Sequence, residues 1–124
     1  MRRPWIEQRT AIAHHATADV YRRYAASLNI NTIERSPTAF SRRLVEILAS
    51  GGLAVTNPTC AVEQLFAEYC TVVRTHEEAR ALFARLAREG RSRREREMVR
   101  AGAAHVLGAH TWRHRLAQIA GLAR

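Results

Sequence analysis

The sequence predicts an α/β fold with a short parallel sheet of about three strands and a helical C-terminal tail. Short apolar or β-branched runs alternate with amphipathic helical stretches from Leu28 to Leu86. Right-handed crossovers turn that order into a parallel sheet. The stretch Ser36 to Pro58 reads as loop, helix, double glycine and buried strand in succession. Beyond Gly90 the apolar spacing is helical throughout, which supplies the tail.

The elements follow in order. Thr17 to Ala26 places Val20, Tyr21 and Tyr24 on one helical face, with Thr17 as N-cap. Leu28-Asn29-Ile30 is a short strand. Pro37 then suits the first position of a helix, where its missing N–H costs nothing. That helix runs to about Ser50 with Phe40, Leu44, Ile47 and Leu48 as its stripe, broadened by Val45, and Gly51-Gly52 stops it. Leu53-Ala54-Val55 is the next strand. A helix from Pro58 or Thr59 through Phe66 buries Val62, Leu65 and Phe66. Cys70 to Val73 is a third, β-branched strand. Thr75 and Glu78 form a capping box that opens a helix with Ala79, Leu82, Phe83, Leu86 and Ala87 inward, closed by Gly90. Two further helices, about Arg93 to Leu107 and Thr111 to Leu122, part at Gly108. The first buries Met98, Val99, Val106 and Leu107; the second buries Leu116, Ile119 and Trp112, which serves as an anchor. Three strands are few for a doubly wound sheet. The expectation is a partial Rossmann-like three-layer domain, with residues 1–124 forming one incomplete unit.

At 124 residues and 47% hydrophobic content the chain is a globular protein of at most one ordinary domain. No apolar run reaches the ~18 residues that span a bilayer. The charged N-terminus Met1 to Arg9 lacks the apolar core of a signal peptide, so a cytoplasmic location is expected. Cys60 and Cys70 stand in apolar company without metal-ligand spacing and read as small buried thiols. His110 and His114 have a zinc-compatible spacing but no third ligand, and His14-His15 is a loop or strand edge, so no metal is expected. No Ser-His-Asp, HExxH or P-loop pattern is present.

The net charge of +9 invites a nucleic-acid reading. Every one of the 20 basic residues is arginine, a bias that points to the coding sequence rather than to a phosphate-tracking surface. The one dense run, Arg91, Arg93, Arg94 and Arg96, is interrupted by Glu95 and Glu97, as on a solvated helix face. A basic helical module binding nucleic acid or an acidic partner through Arg91 to Arg100 remains an alternative. An inactive fragment with an associating edge strand is another.

The segment around Glu46 is the chemical candidate. In open α/β sheets a helix N-terminus faces phosphate and an acidic side chain holds a ribose. Glu46 falls off the apolar stripe, which also fits an ordinary solvent-facing helix residue.

From about Thr17 to Leu122 the chain resembles the C-terminal part of GT-B-fold glycosyltransferases, in the CgeB-like (spore-maturation-type) group with its "glycosyl transferases group 1" domain. The resemblance rests on Tyr24 to Asn31, Leu44 to Gly52, Leu53 to Asn57, Glu63 to Phe66, Thr75 to Leu86 and Val106 to Arg115. Their order and spacing are more specific than any single piece. The resemblance implies a domain that binds a nucleoside-diphosphate sugar as substrate, with no further cofactor. It implies that Glu46 accepts hydrogen bonds from the ribose hydroxyls. The N–H groups at Thr38, Ala39, Phe40 and Ser41 would face the diphosphate, with Arg42 or Arg43 adding charge. Related retaining enzymes carry a sugar-contacting glutamate where this chain has Thr38. The N-terminal Rossmann domain of such enzymes, with the acceptor site and commonly a catalytic residue, is not in this sequence. The implied catalytic residue is therefore unknown, and the implied partner is a separate N-terminal half or a second copy.

Overall fold

The computed structural model describes residues 7–122. The start of the charged N-terminal stretch, including Trp5, lies outside them. A 3-10 turn at His14–Ala16 leads into α1 (Thr17–Arg23), followed by β1 (Ser27–Asn29), α2 (Arg42–Ala49), β2 (Ala54–Thr56) and α3 (Cys60–Leu65). β3 (Thr71–Val72), α4 (His76–Glu89), α5 (Arg93–Ala109) and α6 (Trp112–Leu122) complete the order. The strands form one parallel sheet in the order β1-β2-β3, with Ser27 opposite Ala54 and Val55 opposite Thr71. Mixed α/β architecture, a short parallel sheet and a helical C-terminal region all agree with a partial Rossmann-like domain. No helix of the described residues is long and apolar enough to cross a membrane.

The main core forms where α2 lies against the sheet and α5. Leu44, Ile47 and Leu48 meet Ala54, Val62, Phe66, Cys70 and Val106, with Tyr21, Phe40, Val45, Tyr69 and Val72 at the margin. Full burial of each large side chain contributes about 1.5–3 kcal/mol. Burial also pushes the Cys70 thiol up to about 12, because a thiolate there would lose its hydration. Cys60 is only half-buried, contrary to expectation. A second cluster joins Leu53 to Leu86 of α4 and Val99 of α5. There Glu95 pairs with Arg85 and accepts from the Ser92 N–H at 2.8 Å. Burial pushes its pKa up, but these two partners outweigh burial and hold it below the usual value.

The turn after α2 needs its glycines. Gly51 has φ of 78°, a conformation that L side chains rarely adopt. A Cβ on Gly52 would lie 2.9 Å from Ile47 Cγ2 and 3.1 Å from the Tyr21 carbonyl oxygen. α2 can therefore run straight into β2 beneath α1.

Several boundaries differ from the sequence expectation, each for a local reason. Thr17 lies inside α1, its hydroxyl donating to the His14 carbonyl at 2.6 Å, and His14-His15 belongs to the 3-10 turn. Thr75 does accept from the Glu78 N–H, but the Glu78 carboxylate turns to the Arg74 N–H at 2.8 Å, so the box does not close. The complete capping box is at Ser92 and Glu95. Leu65, Phe83, Ala87 and Leu107 are exposed, because their helices meet the core over a narrower face than their apolar spacing suggests. α5 continues through Gly108. α6 buries no residue, so Trp112, Leu116 and Ile119 are surface residues rather than core.

Candidate functional site

The loop between β1 and α2 determines what the start of α2 can offer a ligand. The helix begins at Arg42 rather than Pro37, with Ser41 as N-cap. The Asn31 side chain competes with the earlier start, because it takes the Ser41 N–H that a helix begun at Pro37 would give to the Pro37 carbonyl. The Ser36 hydroxyl accepts from the N–H groups of Thr38 and Ala39 at 3.4 and 3.1 Å. Asn31 Oδ1 accepts from the Ser41 N–H at 2.8 Å, and the Ser41 hydroxyl accepts from the Arg43 N–H at 3.2 Å. The backbone donors expected to face a diphosphate at Thr38, Ala39 and Ser41 are thus already engaged. Side chains, above all Arg42, carry what positive charge this end of α2 presents.

Asn31 is itself anchored beyond the ends of β1 and β2. Its Nδ2 donates to Thr56 Oγ1 at 3.0 Å, and its backbone exchanges hydrogen bonds with the Asn57 amide at 2.8 and 3.0 Å. Asn29 Nδ2 also donates to Thr56 Oγ1, at 3.3 Å. This buried polar cluster ties the loop to two strand ends and so sets the position of Phe40 and Ser41.

Phe40 stands between two openings. On one side is a crevice of about 270 Å³, lined by Ile30 to Ile33 with Ala39, Phe40 and Ser41. On the other is a cleft of about 530 Å³ between α2 and the α5–α6 corner. Arg42, Val45, Glu46 and Ala49 form one wall of the cleft, and Leu107, Trp112 and Arg115 belong to the other. Its volume falls within the usual range for small-molecule sites.

The structure divides the predicted site residues between these openings. Glu46 and Arg42 share the cleft, where Arg42 Nε lies 3.0 Å from Glu46 Oε1 and the Glu46 side chain is 31% exposed. Ala39 and Ser41 face the crevice, and Phe40 touches both. Thr38 lies beside Phe40, His110, Arg115 and Gln118 in a third opening of about 550 Å³. Arg43 is exposed and lines none of the three.

A ring cluster at the α5–α6 corner completes the far wall. Phe40 packs edge-on against Phe66 at 4.8 Å between ring centres, and Phe66 meets His110 at 5.1 Å. Tyr69 stacks on His105 at 4.3 Å. Arg115 Nη2 lies 2.6 Å from His110 Nδ1, and His110 Nε2 lies 3.1 Å from His105 Nε2. A guanidinium can only donate, so His110 Nδ1 accepts and neutral His110 carries its proton on Nε2. Burial, then His105, Arg115 and His114, hold its pKa below the ordinary imidazole value. Arg115 Nη1 also donates to Gln118 Oε1 at 2.9 Å, so its guanidinium is fixed at the cleft wall. Sequence reasoning assigned no role to Arg115 and treated Trp112 as an anchor. The available signal was the concentration of rings and cations in His110-Thr111-Trp112-Arg113-His114-Arg115.

Three arginines of the basic run at the start of α5 have partners within the chain. Arg91 donates to the carbonyls of Ala25 and Tyr24 at 2.9 Å each. Arg93 pairs with Glu97 at 3.0 Å, and Arg96 donates to the Arg91 carbonyl at 2.5 Å. No group of three or more metal-ligating side chains occurs among the described residues.

A family model described as glycosyl transferase-like matches residues 3–121. No curated protein and no solved structure matches the chain.

Proposed function

Since the chain belongs to the glycosyl transferase-like family, we propose that the cleft beside α2 receives the nucleoside diphosphate part of a sugar donor. Family membership supports glycosyl transfer in general. The nucleotide-sugar donor, the GT-B arrangement and the CgeB-like subgroup belong to this reading. The observation that carries it is the placement of Glu46, a partly exposed carboxylate in the cleft beside α2 with Arg42 next to it.

Glu46 offers two acceptor oxygens to the two hydroxyls of a ribose. Its ion pair with Arg42 spans one helical turn at the surface, an interaction worth only about 0.3–0.5 kcal/mol. Exchanging that pair for the ribose diol therefore costs little. The released Arg42 guanidinium then turns toward the diphosphate, with Arg43 adding charge from the same first turn of α2. Of the four residues before that turn, Phe40 lines the cleft itself, while Ala39 and Ser41 line the adjoining crevice and Thr38 a third opening.

The reaction is displacement at the anomeric carbon: the carbon–oxygen bond to the diphosphate breaks, the acceptor's nucleophilic atom bonds to that carbon and loses its proton, and the nucleoside diphosphate leaves. Positive groups at the departing diphosphate stabilise charge as it develops. In this reading the acceptor side comes from a separate N-terminal half or from a second copy of the chain, and no residue here is assigned a catalytic role.

Calorimetric titration of the chain with UDP, GDP, ADP and dTDP tests the proposal. Glu46→Ala should weaken the best-bound nucleotide by about 1–3 kcal/mol, the cost of losing hydrogen bonds to a charged group. Unchanged affinity in that variant removes Glu46 from the ribose role.

A further inference from the structure

The two walls of the cleft carry different chemistry. Beside the α2 wall, the α5–α6 corner presents the indole of Trp112, 80% exposed, and the exposed side chain of Leu107. A large apolar ring left in water at a cleft mouth forgoes the burial that would stabilise it. Next to it, Arg115 is held in place by His110 and Gln118 rather than by a carboxylate. Arg42, the second guanidinium of the cleft, lines it from α2. A flat apolar platform beside two guanidiniums suits a ligand that is aromatic at one end and a polyanion at the other.

We infer that Trp112 is the stacking platform for the donor's nucleobase and that Arg115 holds its diphosphate from the side opposite Arg42. This rests on the proposal that the cleft takes a nucleoside diphosphate, and it adds two recognition residues to that site. Val45 and Ala49 supply the apolar floor under the base, while Glu46 holds the ribose midway along α2. Stacking tolerates any base, so Trp112 contributes affinity without choosing among nucleotides. Arg115 discriminates by charge, favouring the diphosphate over the uncharged nucleoside. His110 is a positioning residue, because its Nδ1 fixes the guanidinium that meets the phosphate.

The chain has two tryptophans, so a Trp5→Phe background makes Trp112 the sole indole reporter. Titration of that protein with UDP and ADP should quench its fluorescence saturably. Arg115→Ala should raise the apparent Kd for the diphosphate about tenfold, the loss of one charge-assisted contact, and leave uridine or adenosine within about twofold. Trp112→Ala, followed by calorimetry, should weaken nucleotide and nucleoside alike by at least about fivefold, as for lost base stacking. Arg115→Lys and Trp112→Phe should each recover part of the loss, which separates recognition from misfolding. The inference is overturned if Trp112→Ala and Arg115→Ala each leave the diphosphate Kd within twofold, or if neither nucleotide binds at millimolar concentration. If Glu46→Ala alone weakens binding, the ribose assignment stands and the roles of Trp112 and Arg115 fall. If Trp112→Ala and Arg115→Ala weaken it and Glu46→Ala does not, the stacking and phosphate roles stand without the ribose role.

Discussion

The two walls of the cleft are built in opposite ways. α2 presents Glu46 from a helix whose other face, Leu44, Ile47 and Leu48, is completely buried. α6 presents Trp112 and Arg115 from a helix that buries no residue, and polar contacts of His110, Thr111 and His114 hold its start. Core packing fixes a wall to within the tolerance of a close-packed interior. A wall with few buried apolar contacts belongs to the low end of local stability. Under the proposed function, Glu46 and Arg42 would meet the ligand from the wall held by core packing, and Trp112 and Arg115 from the wall held by polar contacts at its start.

Truncating each wall is the sharpest way to break that comparison. Leu44→Ala should cost about 3–5 kcal/mol in chemical denaturation, from lost burial and the cavity left behind. Leu116→Ala, at a position 63% exposed, should stay within about 0.5 kcal/mol. A loss at Leu116 matching that at Leu44 would mean that the α6 stripe is covered in solution, and the walls would no longer differ.

A smaller effect should appear with pH. His110 has a pKa below its unfolded value because of burial first and nearby positive or imidazole groups second. Its neutral form therefore supports the fold above the unfolded pKa of about 6.5, and that support is lost as pH falls through the lowered native value. Protonated Nδ1 can no longer accept from Arg115. The Tm difference between the chain and His110→Gln should shrink between pH 7 and 5, while the Leu44→Ala difference stays constant. A His110→Gln difference that is flat over this range would show that the ring is not held neutral by its surroundings.

What was legible in the sequence was local and periodic. The apolar stripe of α2, its glycine stop and the alternation of helix with strand depend on neighbours a few positions apart, and the structure has all of them. Side-chain competition was not legible. Asn31 takes the Ser41 N–H that a helix begun at Pro37 would use internally, and Arg74 diverts Glu78 from its box. The same pattern three residues apart does close at Ser92 and Glu95. For the site, Glu46 and Arg42 were readable as one helical turn. Their meeting with Trp112 and Arg115 depends on α2 packing against α5, a long-range contact with no local signature.

The central claim is that the cleft beside α2, not the crevice at the end of β1, takes the nucleotide. Amide chemical-shift mapping of the isotope-labelled chain during titration with UDP or ADP addresses it directly. The account predicts the largest shifts at Arg42, Val45, Glu46, Ala49, Leu107, Trp112 and Arg115, on both walls of one cleft. Largest shifts confined to Ile30, Asn31, Thr32 and Ile33 would place the ligand in the crevice instead and contradict it.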